Sequence, residues 1–235
     1  MSQIKKATLT FLRQLAKNND REWFATNKPK YEAAQENVAD FADALLGRLR
    51  ESDVLATENG KKSLYRIYRD VRFSKNKDPY KVNIAGSFER DGKLRRGGYY
   101  FHLVPSGIHD NFMNGTVIGG GFYGIERDDL KRVREEIAAD ATDLREIIGA
   151  PDFVRVFGEL QGEKLKTAPQ GYPKDHPNID LLRYKNYYAF REFNDEEVLS
   201  ANFLDLSHEA LLTLRPFFDL FTDILTTDAN GEVVV

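Results

Sequence analysis

Hydrophobic positions keep a helical spacing at both ends of the chain and an alternating spacing between them. Thr8 or Thr10 is placed to cap a short amphipathic segment carrying Phe11, Leu12 and Leu15. After Asn18-Asn19-Asp20, a further turn or two carries Trp23 and Phe24, with Trp23 expected in the core. Asn27, with Pro29 just inside, starts a longer helix. Its apolar residues Tyr31, Ala34, Val38, Phe41, Leu45 and Leu49 recur three or four apart.

From residue 64 to 125 the period becomes two. Val82, Ile84 and Phe88 alternate with Asn83, Ala85, Ser87 and Glu89, and Asp91-Gly92 predicts a hairpin. Tyr99, Phe101 and Leu103 then alternate with Tyr100, His102 and Val104 until Pro105-Ser106-Gly107 turns the chain. A third strand is predicted over residues 112–118. Residues 64–73 fit either a strand, through Tyr65, Ile67, Val71 and Phe73, or a helix, through Leu64, Ile67, Tyr68 and Val71. Strands joined in succession by short turns form an antiparallel meander.

The helical period returns with Leu130, Val133, Ile137, Ala141, Leu144 and Ile148, with a break near residues 140–143 and an end at Gly149 and Pro151. Pro169, Gly171, Pro173 and Pro177 predict a loop, and residues 186–193 a further strand. Asn194 and Glu197 form a capping pair, and residues 204–225 a last apolar helix, kinked or split at Pro216. The pattern is α+β: an antiparallel sheet of four to five strands packed by N- and C-terminal helices. A single domain over residues 1–235, with its core at about 8–226, is expected.

Composition narrows the setting. With 41% hydrophobic residues, among them 16 Phe and 11 Tyr, the chain supplies a core of its own, which argues against disorder. It has no cysteine, which excludes disulfides, thiolate metal sites and cysteine nucleophiles. The first residues are polar, and Arg13 and Lys17 interrupt the next apolar stretch, so neither a signal peptide nor a membrane span is expected. The expected location is the cytoplasm, with no membrane partner, and the Asn114-Gly115-Thr116 sequon is then expected to stay unmodified.

Charge is unevenly spread. Residues 61–96 hold 12 Lys or Arg against four acids, a balance of +8, so the remainder carries −11 of the total −3. A basic island on an acidic chain marks a place, not a uniformly basic nucleic-acid binder.

Several short motifs carry less than they suggest. Residues 119–124, Gly-Gly-Gly-Phe-Tyr-Gly, match G-x-G-x-x-G, but the strands before them are hairpins and no helix opens inside the motif. A structural glycine turn is expected there, with no nicotinamide cofactor. Ser74-x-x-Lys77 with Lys166-Thr167-Ala168 has the order of a serine acyl-enzyme, yet Pro79 and its polar neighbours place that serine in a loop. His102, His109, His176 and His208 show no metal-ligand spacing, so neither metal nor cofactor is expected.

Residues 66–81 differ. They crowd Arg66, Arg69, Arg72, Lys75, Lys77 and Lys81 around Asp70 and Asp78, with Tyr68 and Tyr80 between them. On a strand, Arg66, Tyr68, Asp70 and Arg72 would share one face and Arg69 would fall on the apolar side, where a guanidinium needs a partner or a ligand. Arginine forks match phosphate or carboxylate oxygens, and tyrosine rings stack on bases. The expected function is a binding protein or enzyme that holds a phosphate-bearing small molecule or nucleic acid here. Arg69 and Arg72 would clamp oxygens, Lys75, Lys77 and Lys81 would add field, and Asp70 would orient an arginine or act as a base. The bland reading beside it is a charged strand edge that deters aggregation, and the rival function is a protein-interaction module whose basic face meets an acidic partner.

The chain also resembles a known family. Asn18-Asn19-Asp20-Arg21-Glu22-Trp23-Phe24, Asn27-Lys28-Pro29-x-Tyr31, the block from Arg69-Asp70-x-Arg72-Phe73-Ser74-Lys75 to Pro79-Tyr80-Lys81, the triple glycine and the stretch from Leu165-Lys166 to Gly171 are similar to those of domain of unknown function 2461. The resemblance runs roughly from Thr10 to Leu225. It implies one domain and no accepted activity, and it supplies no catalytic residue.

Overall fold

The computed structural model describes residues 2–91, 95–110, 113, 115–227 and 231–233. It opens with α1 (Lys6–Lys17), α2 (Arg21–Thr26), α3 (Lys28–Leu49) and the single turn α4 (Gly60–Ser63). Strands β1 (Ile84–Glu89), β2 (Gly98–Leu103) and β3 (Thr116–Phe122) follow. Next come α5 (Arg127–Ala139), α6 (Thr142–Gly149), α7 (Pro151–Phe157) and α8 (Ile179–Leu182), and then β4 (Tyr187–Phe193). The chain closes on α9 (Asp195–Leu199), α10 (Phe203–Thr213) and α11 (Arg215–Thr226). The four strands make one antiparallel sheet in the order β1-β2-β3-β4, so the architecture is α+β.

Local chemistry sets most of these boundaries. Asp20 accepts the Trp23 N–H and starts α2, and Pro29 sits in the first turn of α3, where its missing N–H costs nothing. Asn194 and Glu197 close a reciprocal capping box on α9. Pro216 splits the last apolar stretch into α10 and α11. The expected cap at Thr8 or Thr10 is not formed: α1 starts after Lys5, at least three residues earlier, without a side-chain cap. Thr8 is buried instead and donates to Asn37, while Thr10 bonds back to the Lys6 carbonyl.

Two strand expectations change. The third strand, expected over residues 112–118, runs over Thr116–Phe122; residues 111, 112 and 114 lie outside the described ones, as does the Gly92 half of the predicted hairpin turn. The triple glycine is therefore not a turn: Gly119, Gly120 and Gly121 are strand residues of β3. The reason is steric. A Cβ on Gly119 would run into the Ala189 carbonyl and lie 2.6 Å from Phe190 Cδ1, and one on Gly121 would lie 2.5 Å from Tyr188 Cβ. Gly121 also holds φ at +149°, which side-chain-bearing residues avoid. Glycine here lets the backbone of β4 come close.

The chain divides into two compact units. The first comprises the residues up to Phe88, Tyr100–Ile118 and Glu192–Glu209. In its core Phe41 of α3 stacks on Phe203 of α10 at 5.0 Å, with Phe193 edge-on to Phe203 at 5.2 Å. Trp23, expected in the core, is only half-buried and stacks on Phe11 at 6.1 Å. The second unit comprises Glu89–Tyr99, Gly119–Arg191 and the residues from Ala210 onward. Its core gathers Phe217, Phe218 and Phe221 of α11 around Phe122, with Tyr99 edge-on to Phe218 and Tyr187 against Phe221. No helix among the described residues is long and apolar enough to cross a membrane.

Candidate functional site

Residues 64–73 form neither the strand nor the helix that periodicity allowed. Leu64 bridges to Gly86, and the Tyr65 N–H donates to the Ala85 carbonyl, so the segment starts beside β1. It then leaves the sheet. Tyr68 bridges to Tyr80, the Arg69 N–H donates to Pro79 O at 2.9 Å, and the Lys81 N–H donates to Ile67 O at 2.7 Å. These bonds close the foot of an excursion running from Asp70 to Asp78.

The foot is anchored twice. The Tyr80 ring is buried and stacks on Phe24 of α2 with centroids 3.9 Å apart. Asn19, in the turn between α1 and α2, accepts the Tyr80 N–H at 3.1 Å and donates to the Tyr80 carbonyl at 3.0 Å. A side-chain amide presents a carbonyl oxygen and an N–H side by side, so Asn19 pairs with both polar groups of the Tyr80 backbone as a strand neighbour would. Two sequence blocks, joined here by residues 61 positions apart, are thereby one structural unit.

Above the foot the chain is exposed. Asp70 accepts the Arg72 guanidinium through both oxygens, at 3.0 and 2.6 Å, and also takes the Arg72 backbone N–H. These bonds hold the Asp70 carboxyl below, and the Arg72 guanidinium above, their ordinary ranges. Yet the side chains remain 76% and 46% exposed, Arg72 and Asp70 respectively, so the pair orients a loop and adds little to stability. Lys77 donates to the Val71 carbonyl, and Asp78 N–H closes a turn on Asn76. Arg66 and Lys75 are exposed and Arg69 is half-buried. Among the described residues none of these three side chains makes a hydrogen bond or ion pair. Three large rings stand out in the same stretch: Tyr65 at 45%, Tyr68 at 57% and Phe73 at 95% exposure.

The basic island is not one face. Of its cations, Arg90 and Arg96 are spent within the second unit: Arg90, with a side chain 1% exposed, pairs with Asp219, and Arg96 pairs with Asp129. The exposed cations of the island include Lys61 and Lys62 on α4 and those of the segment from Arg66 to Lys81.

Beside its foot, in the first unit, lies a polar cluster that sequence reasoning missed. Tyr100 Oη and His102 Nδ1 are 2.9 Å apart, and His102 Nε2 lies 2.9 Å from Asp110 Oδ2, off the line of a straight hydrogen bond. The His102 and Asp110 side chains are only 2% and 7% exposed. Asp110 also accepts the Asn83 amide and the Met113 N–H. A neutral ring that accepts from the phenol at Nδ1 carries its proton on Nε2, on the side of Asp110. Burial pushes the Tyr100 phenol well above its usual range, with the fields of Tyr65 and Asp110 adding to it, so the phenol stays a proton donor. Tyr65 links this cluster to the segment: its ring is 6.4 Å from Tyr100, its hydroxyl donates to Ser87, and Lys81 Nζ lies 5.7 Å from its centroid. Burial, with Arg66 nearby, lowers the Lys81 ammonium below the usual lysine range, and Asp110 partly offsets this. The sequence held a signal for the pair, since Tyr100 and His102 alternate on one face of β2. It held none for Asp110. Among the described residues no group of three or more His, Asp or Glu is placed to hold a metal ion.

No curated protein and no solved structure matches the chain. A family model described as conserved hypothetical protein (DUF2461) matches residues 7–220, a span that takes in the Asn19 turn, the excursion and the Tyr100–His102–Asp110 cluster. The chain belongs to that family.

Proposed function

We propose that the segment from Arg66 to Lys81, the excursion together with its foot, binds a phosphate-bearing ligand. The observation that carries this is the set Arg66, Arg69 and Lys75: three cations without a side-chain partner among the described residues, the first two beside the foot that Asn19 and Tyr80 fix and the third on the excursion above it. A guanidinium left without an anion is a strong donor for phosphate oxygens. A fixed foot also reduces the entropy lost on binding. Lys81 adds charge at the foot. Asp70 holds Arg72 in a bidentate pair, and a phosphate reaching Arg72 would compete with that carboxylate.

A ligand that binds only the folded chain raises its stability by RT ln(1 + [L]/Kd), about 2.7 kcal/mol at a hundred times Kd. Denaturant melts with and without inorganic phosphate or a nucleoside triphosphate, at constant ionic strength, test this. The midpoint rises with the parent, and rises less with Arg69→Gln. An unchanged parent midpoint in every phosphate compound refutes the assignment and leaves the excursion a charged edge.

A further inference from the structure

We infer that the phosphate-bearing ligand is a single-stranded nucleic acid, gripped by rings and cations that alternate along residues 65–75. The inference rests on the reading above and concerns what the phosphates belong to. Tyr65 precedes Arg66, Tyr68 precedes Arg69, and Arg72 precedes Phe73, with Lys75 two residues on. All three rings are exposed, Phe73 at 95%. Each is also steadied on one side. Tyr68 leans on Tyr80 with centroids 5.5 Å apart, the Arg72 guanidinium lies 5.9 Å from the Phe73 centroid, and Tyr65 is tied through its hydroxyl to Ser87.

A folded chain places a large ring in water at a cost, and a lone exposed ring needs no explanation. Three rings alternating with cations in nine residues do. A free phosphate or small anion would use the cations and leave the rings idle. A mononucleotide would use one ring. A single strand repeats a charge and a flat apolar face with every nucleotide, which is the repeat this segment offers. A duplex hides its base faces in the stack, and so gives the rings nothing to cover. The acidic remainder of the chain, −11 outside residues 61–96, keeps a polyanion confined to this segment. The grip is therefore short, about three bases, one for each ring.

The test is fluorescence anisotropy with labelled 12-mers of deoxythymidine and of uridine. A duplex of the same length, and vesicles of phosphatidylcholine with phosphatidylserine, are run beside them. The single strands bind and the duplex binds more weakly. With Arg66, Arg69 and Lys75 each meeting one phosphate, the logarithm of affinity falls against the logarithm of salt with a slope of about −2. Phe73→Ala and Tyr68→Ala each weaken binding by about tenfold or more, as loss of one base stack does. Both rings are largely in water, so neither change threatens the fold. Three outcomes overturn the inference: oligomers that bind Phe73→Ala and Tyr68→Ala as they bind the parent, a duplex bound as well as a single strand, or vesicles bound while oligomers are not. If inorganic phosphate still raises the parent's melting midpoint in those cases, the phosphate site stands and only the identity of its ligand is wrong. If neither phosphate nor oligomer acts, both readings fall.

Discussion

Asn19→Ala is the sharpest test of how the excursion is held, because Asn19 lies outside the basic segment and carries no charge. In the folded chain its amide accepts the Tyr80 N–H at 3.1 Å and donates to the Tyr80 carbonyl at 3.0 Å, in a half-buried setting. Alanine removes both bonds and supplies nothing in exchange. A typical hydrogen bond contributes about 1 kcal/mol net, and a peptide group left unpaired away from water costs more. Loss of both therefore amounts to roughly 2 kcal/mol, with water reaching the site as the limit on a larger value. Asn19→Asp separates the two bonds. Its carboxylate still accepts the N–H but faces the Tyr80 carbonyl with a lone pair, so about half the loss, or somewhat more from repulsion, is expected. The Tyr80–Phe24 stack at 3.9 Å survives both changes and keeps the foot from dissolving. Amide hydrogen exchange reads the effect where it arises. Exchange of the Tyr80 and Lys81 N–H groups accelerates by roughly thirtyfold in Asn19→Ala, at 1.4 kcal/mol for each factor of ten. Amides of α5 and α11 keep the parent's rates. On the proposed reading, affinity for phosphate falls as well, since the foot must be ordered anew on binding. Parent-like exchange at Tyr80 and Lys81 in Asn19→Ala would show that the stacked ring alone fixes the loop, and that the Asn19 pairing is incidental.

Two further outcomes check the fold around the site. Gly119→Ala places a Cβ against the Ala189 carbonyl in β4, so the strands must separate; a denaturant midpoint lowered by well over ~1 kcal/mol is expected, and a parent-like melt would refute the close approach. His208 gives a pH signature, since burial lowers its folded pKa below the usual 6.5, with the Arg48 charge adding to the shift and Glu51 and Asp205 opposing it. The unfolded chain then binds the proton more readily, so this contribution is complete above about pH 6.5 and is lost as pH falls from there through the folded pKa. Urea midpoints measured from pH 7.5 to 5 should fall less steeply in His208→Gln than in the parent, and parallel curves would remove His208 from the account.

Much of the scaffold was legible because its signals are local. The Asn194–Glu197 box, Pro29 at the head of α3 and the split at Pro216 each act within a turn of chain, and each appears where the sequence puts it. The glycines misled because a glycine run serves two purposes that sequence cannot separate: a backbone turn, or the close passage of a neighbouring strand. Only the position of β4 decides between them, and β4 begins 66 residues after Gly121. The Leu64–Phe73 ambiguity had a similar origin. Its apolar residues fit two periods because Ile67 alone among them is buried, so neither period was under selection by a core. What distinguishes this stretch is the contrast between its foot and its tip. Tyr80 and Ile67 are buried and tied down, whereas Phe73, an equally apolar residue seven positions before Tyr80, is left in water. Folding would gain by covering Phe73, and the chain gives it no cover. The same sequence that secures the foot with an amide from another helix turn leaves a ring and three cations unspent at and below the tip. Those groups are the ones available to a partner, and binding therefore need not compete with the contacts that hold the loop in place.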